Sequence, residues 1–466
     1  MGIATVAPGA IELAFSGRFG FGIYRWAYLP FDVPPGVQRI RVSTSHEKFV
    51  GGPARNVLDL GIFGPAGYDL GNAAGFRGWS GGARDGFVIS STHATPGYLA
   101  GPIDAGVWAV ALGPVVLSPW GMAWQVNVTM EYGESATTPP DTDPVVASSP
   151  PSVSGARWYR GDLHLHTVYS DGDRHLGELA SAAHHSGLDF VVSTEHNTSA
   201  ANRAWKACDT GGLLVIPGEE VTTRHGHWLA VGLPPGGWVD WRYGPSDGVF
   251  PRFAAEVRDA GGLVVAAHPS VPVPGAAWEF GFADVDALEV WNGRWNVDDE
   301  LSLRIWQRLL RQGRRIVAVG GSDSHGKHQT VGLPQTVVHA DELSTPAIID
   351  GLRCGRSYLA RSCDVALELT AYCPNSDGVA GPGQALRVSS DGRVTVTAVI
   401  SGAPGTNVAL ITAEGCAERA TVGSDRARLE WEVDAASARF VRLEVREAQR
   451  RPLGAMVALT NPVWLV

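Results

Sequence analysis

Residues 161–172 read GDLHLHTVYSDG. Two histidines, His164 and His166, stand two residues apart in a run that alternates like a strand. Side chains at i and i+2 of a strand share a face, so these two project together while Leu163 and Leu165 point the other way. Two imidazoles on one rigid edge are a start for a metal site. Asp171 sits in a Ser-Asp-Gly turn that can fold its carboxylate back toward them. An isolated HxH is also compatible with two ordinary histidines on a half-exposed strand. The pattern downstream separates the two readings.

That pattern repeats one arrangement. Leu176 to Ser186 has the spacing of a helix, stopped by Gly187. Phe190 to Ser193 is a buried strand that delivers Thr194-Glu195-His196-Asn197 at its end. Leu213 to Ile216 delivers Pro217-Gly218-Glu219-Glu220, and His227 opens the strand Trp228 to Val231. A helix at Phe253 to Ala260 leads to the strand Leu263 to Ala267, which ends at His268-Pro269. Ala287 to Trp291 is another strand, with Glu289 inside it and Asn292 and Arg294 beyond. A helix from Asp299 to Gln312 leads to Ile316 to Val319 and then to Gly320-Gly321-Ser322-Asp323-Ser324-His325. Strands alternating with helices predict a parallel α/β unit. Polar residues at successive strand ends are where a β/α barrel keeps its active site.

Those ends hold His164, His166, Asp171, His196, Glu220, His227, His268, Asp323 and His325. One such residue is ordinary. Nine metal-ligand types, nearly all at strand ends, are not an accident of composition. Imidazole with carboxylate suits Zn, Mn or Fe better than Ca or Mg. No cysteine belongs to the set, which argues against a structural zinc. The set exceeds what one ion can use, so two or three divalent transition-metal ions are expected.

The succession HxH…SDG, TEH, PGEE, His before WLAVG, AHP and SDSH resembles the polymerase and histidinol phosphatase (PHP) superfamily of metallohydrolases, and within it the CehA/McbA-type branch. The resemblance covers about 157–363. It implies a distorted (β/α)7 barrel, here flanked by N-terminal and C-terminal β-sandwich domains. It also implies a first metal on His164, His166, Glu220 and Asp323. A second metal falls to Asp171, His196 and His325. A third shares Glu220 and adds His227 and His268. Glu219 and His225 compete for two of these places, and the family pattern prefers Glu220 and His227. Many relatives carry His where this chain has Asp171, which bears on occupancy of the second site.

Such ions activate a water and polarise the bond attacked. The resemblance therefore implies a phosphoesterase acting on a small phosphorylated molecule. Hydrolysis of a carboxylic or carbamate ester is the alternative on the same centre. A non-catalytic, metal-stabilised binding module is a reading of another class, disfavoured because the ligand set is intact. An anionic substrate needs a cation: Arg294 is the first candidate for catalysis and binding, then Lys327 and His328. Arg77 is a more distant anion clamp. Glu195 and Glu289 are placed to orient ligand histidines or to carry a proton.

The flanks read differently. Residues 1–133 are dense in Gly, Pro and aromatics, with short alternating runs at Gln38 to Ser43, Val57 to Ile62, Gly86 to Ser91 and Trp108 to Leu112. This predicts a β-sandwich or jelly roll. Gly78-Trp79-Ser80-Gly81-Gly82 matches GxSxG. A nucleophile elbow needs a strand before the serine and a helix after it. Ala83 to Gly86 reads as a turn into another strand, so Ser80 is taken as a turn residue. Residues 134–156 are rich in Pro, Ser and Thr and form an expected linker. From 364 to 466, five alternating runs predict a small β-sandwich: Val365 to Ala371, Arg393 to Ser401, Val408 to Thr412, Arg428 to Val433 and Phe440 to Val445.

The net charge of −10 over 466 residues argues against a nucleic-acid-coating protein. Five cysteines without CxxC spacing indicate neither a zinc knuckle nor a disulfide framework, and fit a reducing, cytoplasmic setting. No signal peptide and no membrane span are expected. The expected partner is a small-molecule substrate.

Overall fold

The computed structural model describes residues 3–7, 9–21, 26–48, 56–116, 119–133, 154–273, 275–374, 378–388, 392–448 and 454–466. Within them the chain is a strand-rich mixed α/β protein. No described helix is long and apolar enough to cross a membrane. Residues 134–153 of the expected linker lie outside the described residues. Its last residues open the strand Ser154–Asp162.

The N-terminal segment forms two sheets. One has five strands in the order Ile3–Ala7, Ala10–Phe19, Met122–Tyr132, Val37–His46, Gly86–Ser90. The other has four: Ala27–Val33, Gly106–Val116, Val57–Phe63, Phe76–Gly81. Alternating residues of both sheets, among them Ile40, Val42, Leu60, Trp108, Val110 and Val128, share one core. Ser80 lies inside the strand Phe76–Gly81, and the next element is the strand Gly86–Ser90. No helix follows it, so the geometry of a nucleophile elbow is not present.

The middle segment runs into a 15-stranded sheet. Phe190–Ser193 is parallel to both Ser154–Asp162 and Leu214–Thr223. Leu263–Ala266, Ala287–Asn292 and Val317–Gly321 are also mutually parallel neighbours. All four residues of Phe190–Ser193 are buried, as a strand covered on both faces requires. The uniform parallel arrangement expected from the sequence does not hold. Gly226–Val231 is antiparallel to both its neighbours, and Gln335–Glu342 is antiparallel to Ser154–Asp162. For Gly226–Val231 the reason is length: only Arg224 and His225 link Thr223 to Gly226, enough for a hairpin but not for a crossover.

Helix ends follow local chemistry. Leu176–His185 stops where Gly187 takes φ +71° and Leu188 N–H donates to Ala183 O at 3.0 Å. Val297–Arg311 starts at Asn296. Its side chain accepts from Asp298 N–H at 2.6 Å, while Asp299 accepts from Asn296 N–H at 2.7 Å. Thr345–Arg353 is a further helix, capped by Ser344, whose side chain accepts from Ala347 N–H.

Among the described residues, no continuous ladder closes the sheet into a barrel. Its far strands nevertheless meet at one end. Asp323 N–H donates to His164 O at 2.7 Å, His166 N–H donates to Ser324 O at 3.1 Å, and Leu165 bridges Ser324. Gly321 permits this approach, since a Cβ there would lie 2.6 Å from the His164 backbone nitrogen. The C-terminal strands do not stand apart. Met456–Thr460 pairs with Ser357–Ala360, so the same sheet crosses the expected boundary at 363. A second, four-stranded sheet covers this extension and shares a core with it.

Candidate metal centre

The end of the sheet where 162–166 meets 321–325 collects the histidines. Leu163 and Leu165 are buried in apolar clusters, and His164 and His166 are themselves fully buried. Glu220 is the hub. Its Oε2 lies 3.2 Å from His164 Nε2, 3.3 Å from His166 Nε2 and 2.8 Å from His196 Nδ1. Its Oε1 lies 2.9 Å from His227 Nδ1 and 3.1 Å from His268 Nε2. Asp323 Oδ1 sits 3.1 Å from His166 Nε2 and 3.5 Å from His164 Nε2. Asp171 Oδ1 lies 3.3 Å from His325 Nε2 and 3.6 Å from His196 Nε2. All nine residues expected to bind metal therefore lie together.

The turn that returns Asp171 depends on Gly172, where a Cβ would lie 2.6 Å from the His166 carbonyl. Backbone strain concentrates here too. Three of the four described non-glycine residues with positive φ are Asn197 at 55°, His268 at 26° and Asp323 at 46°. Such outliers persist where the surroundings over-determine them, commonly at functional sites.

Four buried atoms decide what the centre can hold. His164 Nε2, His166 Nε2, Glu220 Oε2 and Asp323 Oδ1 make no hydrogen bond among the described residues, although they crowd one another. Buried polar atoms are ordinarily satisfied. Four that converge without bonding fit ligands to a cation. Single ligand atoms within 4.8 Å of one another define three groups: His166, Asp171, His196 and His325; His164, His166 and Asp323; and His164, Glu220 and His268. Nitrogen and carboxylate oxygen in this mixture suit a divalent transition metal.

The protonation pattern says the same. Burial pushes the Glu220 carboxyl up, but His196, His164 and His227 outweigh it and hold it well below its ordinary value. Burial pushes the His196 imidazole down, yet Glu220 and Asp171 lift it to about 10. His166 falls to about 3 through burial and the neighbouring His196 and His325. Protons on some imidazoles thus balance the carboxylates, and metal binding would replace those protons.

A further layer fixes the imidazoles. Glu289 accepts at 3.1 Å from His164 Nδ1, at 2.8 Å from His268 N–H and at 3.0 Å from Asn292 Nδ2. Thr222 Oγ1 meets His196 Nδ1 at 2.6 Å. Glu195 is buried behind His166. It accepts from Thr167 and from Ser170, whose Oγ lies 3.4 Å from His166 Nδ1. Its carboxylate reaches the centre through Ser170 and is not itself a lining group. Alternation along the strand Leu214–Thr223 turns Glu219 to the opposite face, where it accepts from Val239 N–H at 2.9 Å. His225 points out and pairs with Glu279 at 2.8 Å.

The cation candidates fall elsewhere. Arg294 is exposed beyond the end of Ala287–Asn292. Lys327 is exposed and pairs with Glu178 at 2.6 Å, and His328 is exposed. Arg77 donates to the carbonyls of Pro102, Leu99 and Gly101 and lies over the Trp108 ring. None of these four lines the cleft of about 450 Å³ that opens onto Asp171, His196 and His227. Arg224 lines it instead, its guanidinium 4.5 Å from the Trp26 ring centroid. Asp59 of the N-terminal segment faces the same cleft; burial pushes its carboxyl up to about 7, against Arg224 and His196. The sequence carries no signal for Asp59, more than a hundred residues upstream of the ligands. Arg224 had one, its place in the two-residue hairpin beside His227.

No family model matches this chain, and no curated protein matches it. Solved structures give weaker likenesses. One is a two-domain protein from Bacteroides vulgatus ATCC 8482 described as containing a predicted PHP-like metal-dependent phosphoesterase. It is 18% identical, covers 66% of this chain and 96% of its own, and has a TM-score of 0.37. Another is an amidohydrolase from Chromobacterium violaceum with bound sulfate. It is 19% identical, covers 37% of this chain and 89% of its own, with a TM-score of 0.27. At these identities and TM-scores the likeness identifies no activity for this chain.

Proposed function

We propose that this chain is a metal-dependent hydrolase of the PHP superfamily, CehA/McbA-type branch, and that it cleaves a phosphoester of a small molecule. In this reading the sheet from 154 to 360 is a distorted barrel whose strand ends carry the ligands. The observation that carries it is the convergence of unbonded, buried His164 Nε2, His166 Nε2, Glu220 Oε2 and Asp323 Oδ1. These four residues would hold a first ion. Asp171, His196 and His325, with His166 beside them, would hold a second. Glu220 with His268 and His227 would hold a third. Bound there, divalent Mn, Fe or Zn would supply Lewis acidity toward the scissile group and an activated water.

The chain's own residues do the rest. Glu289 sets the ring of His164 and Thr222 that of His196, so both present fixed lone pairs. Glu195, acting through Ser170, holds His166. Arg224 is the cationic side chain that an anionic substrate meets in the cleft, in the role the sequence assigned to Arg294.

One observation favours the second reading, hydrolysis of a carboxylic or carbamate ester. Arg224 shares the cleft with Asp59, and much of the remaining lining is apolar. A neutral ester needs only polarisation of one carbonyl, while a phosphomonoester carries close to two negative charges.

The test is elemental analysis of protein grown with added Mn, Fe or Zn, then assay on an aryl phosphate and an aryl ester. At least two ions per chain and turnover of one substrate are expected. Protein without metal overturns the reading. Metal without any turnover leaves only the binding module.

A further inference from the structure

The cleft over Asp171, His196 and His227 belongs to two parts of the molecule. Its floor comes from the metal centre, and one wall is built from the N-terminal β unit. At about 450 Å³ it takes a whole small organic molecule and not merely the group being hydrolysed. Trp26 lines the N-terminal wall, with its ring against the Arg224 guanidinium and 6.5 Å from the ring of Trp241. Val115 on the same side is 45% exposed, and Val273 on the opposite side is 53% exposed. Large aliphatic side chains left open on both walls of one cleft gain by being covered. Charge in the cleft is sparse and mixed, Arg224 with Asp59 on the walls and Asp171 on the floor. A polyanionic organic part would meet Asp59 with a single guanidinium to offset it.

We propose that the N-terminal β unit is the specificity wall of the hydrolase: the cleft between Trp26, Val115 and Val273 takes substrates whose leaving group is apolar and at least the size of a benzyl group. This rests on the hydrolase reading for the bond cleaved, but not for the pocket.

Benzyl and methyl compounds of one bond class, phosphate or acetate, test it on the full-length, metal-loaded protein. Benzyl and methyl alcohols leave with similar ease, so the ratio of their kcat/KM reports the pocket. The wild type is expected to favour benzyl by about 10- to 100-fold. Val273→Asp and Val115→Asp each place a charge on one wall. Both sites are solvent-exposed, so the fold tolerates the change. Each variant is expected to lower the benzyl-to-methyl ratio about tenfold. Turnover with a ratio near one, or variants that leave the ratio unchanged, overturns the inference and leaves the hydrolase reading standing.

A second readout needs no turnover. Benzylphosphonate and methylphosphonate are titrated against tryptophan fluorescence, with the two variants as controls. Tighter binding of the benzyl compound, weakened in both variants, supports the pocket even where the protein hydrolyses nothing. Equal binding of the two compounds, or binding of neither, overturns it.

Discussion

One carboxylate organises the centre. Glu220 places its two oxygens within 2.8–3.3 Å of five imidazole nitrogens, on His164, His166, His196, His227 and His268. Glu220→Gln keeps the shape and removes the charge, so the metal content is expected to fall to about one ion per chain by elemental analysis, the one that Asp171, His196 and His325 would keep. Retention of every ion would move the hub elsewhere. Glu289 acts one step back, through His164 Nδ1 and the His268 amide. Outer partners of this kind are worth about 10- to 100-fold in metal affinity. Chelator competition on Glu289→Gln should show a loss in that range, and no loss would reduce Glu289 to packing. Ser80 is the opposite case. It borders the cleft, but it is 4% exposed and its Oγ meets Tyr98 Oη at 2.9 Å inside a strand. Ser80→Ala should hold hydrolysis within a few-fold, and loss of all activity with metal still bound would make it a nucleophile.

At the scale of elements, what the sequence discloses is whatever is local. Each ligand motif follows a short apolar run, so strand and ligand are read together, as with Phe190–Ser193 and His196. The turn at Arg224 and His225 was equally local, since two residues cannot carry a crossover. The pairing of Met456–Thr460 with Ser357–Ala360 was not legible, because nothing in either run specifies a partner a hundred residues away. Nor does spacing tell which arginine of several turns inward, as Arg294 and Arg224 show. The same distant pairing creates an ionic joint that no motif announces. Glu300 on the helix Val297–Arg311 meets Arg446, at 3.3 Å through Nη2, and Arg446 and Arg442 both clasp Glu444. Burial raises the Glu444 carboxyl, but the two guanidiniums prevail and hold it below its ordinary value. A depressed carboxyl stabilises the fold above its unfolded value of about 4.3 and loses that stabilisation as pH falls through the folded value. The gap in Tm between wild type and Glu444→Gln should therefore be full at pH 7 and close below about pH 4. A gap that ignores pH would show that Glu444 acts by shape alone.

Across the whole molecule, the cleft exists only while the N-terminal unit stays seated on the metal-bearing sheet. One buried ion pair joins them. Asp240 and Arg242 are 0% and 3% exposed in their side chains and meet at 2.6 Å. Asp240 also accepts from Gly71 N–H at 2.8 Å. Arg242 donates to the Tyr28 hydroxyl and to Tyr68 O at 3.0 Å, and lies 4.4 Å from the centroid of Phe63. All four of those partners belong to the N-terminal unit. A buried pair is costly to desolvate, so its presence alone says little about stability, while removing one member strands a charge and costs about 3–5 kcal/mol. Arg242→Ala should lose stability of that order in chemical denaturation, and the metal content of the folded fraction should be unchanged, since neither residue touches the ligands. Replacing both members, Asp240→Leu with Arg242→Met, removes the stranded charge and should recover most of the loss. If the double variant is as unstable as the single one, the hydrogen bonds to Gly71, Tyr28 and Tyr68, and not the charge balance, hold the two units together. If Arg242→Ala costs less than about 1 kcal/mol, the seating rests on the other contacts between the two units, among them Phe76 with Trp238 and Trp241, Trp79 with Trp241, and the Thr198 hydroxyl donating to Gly97 O.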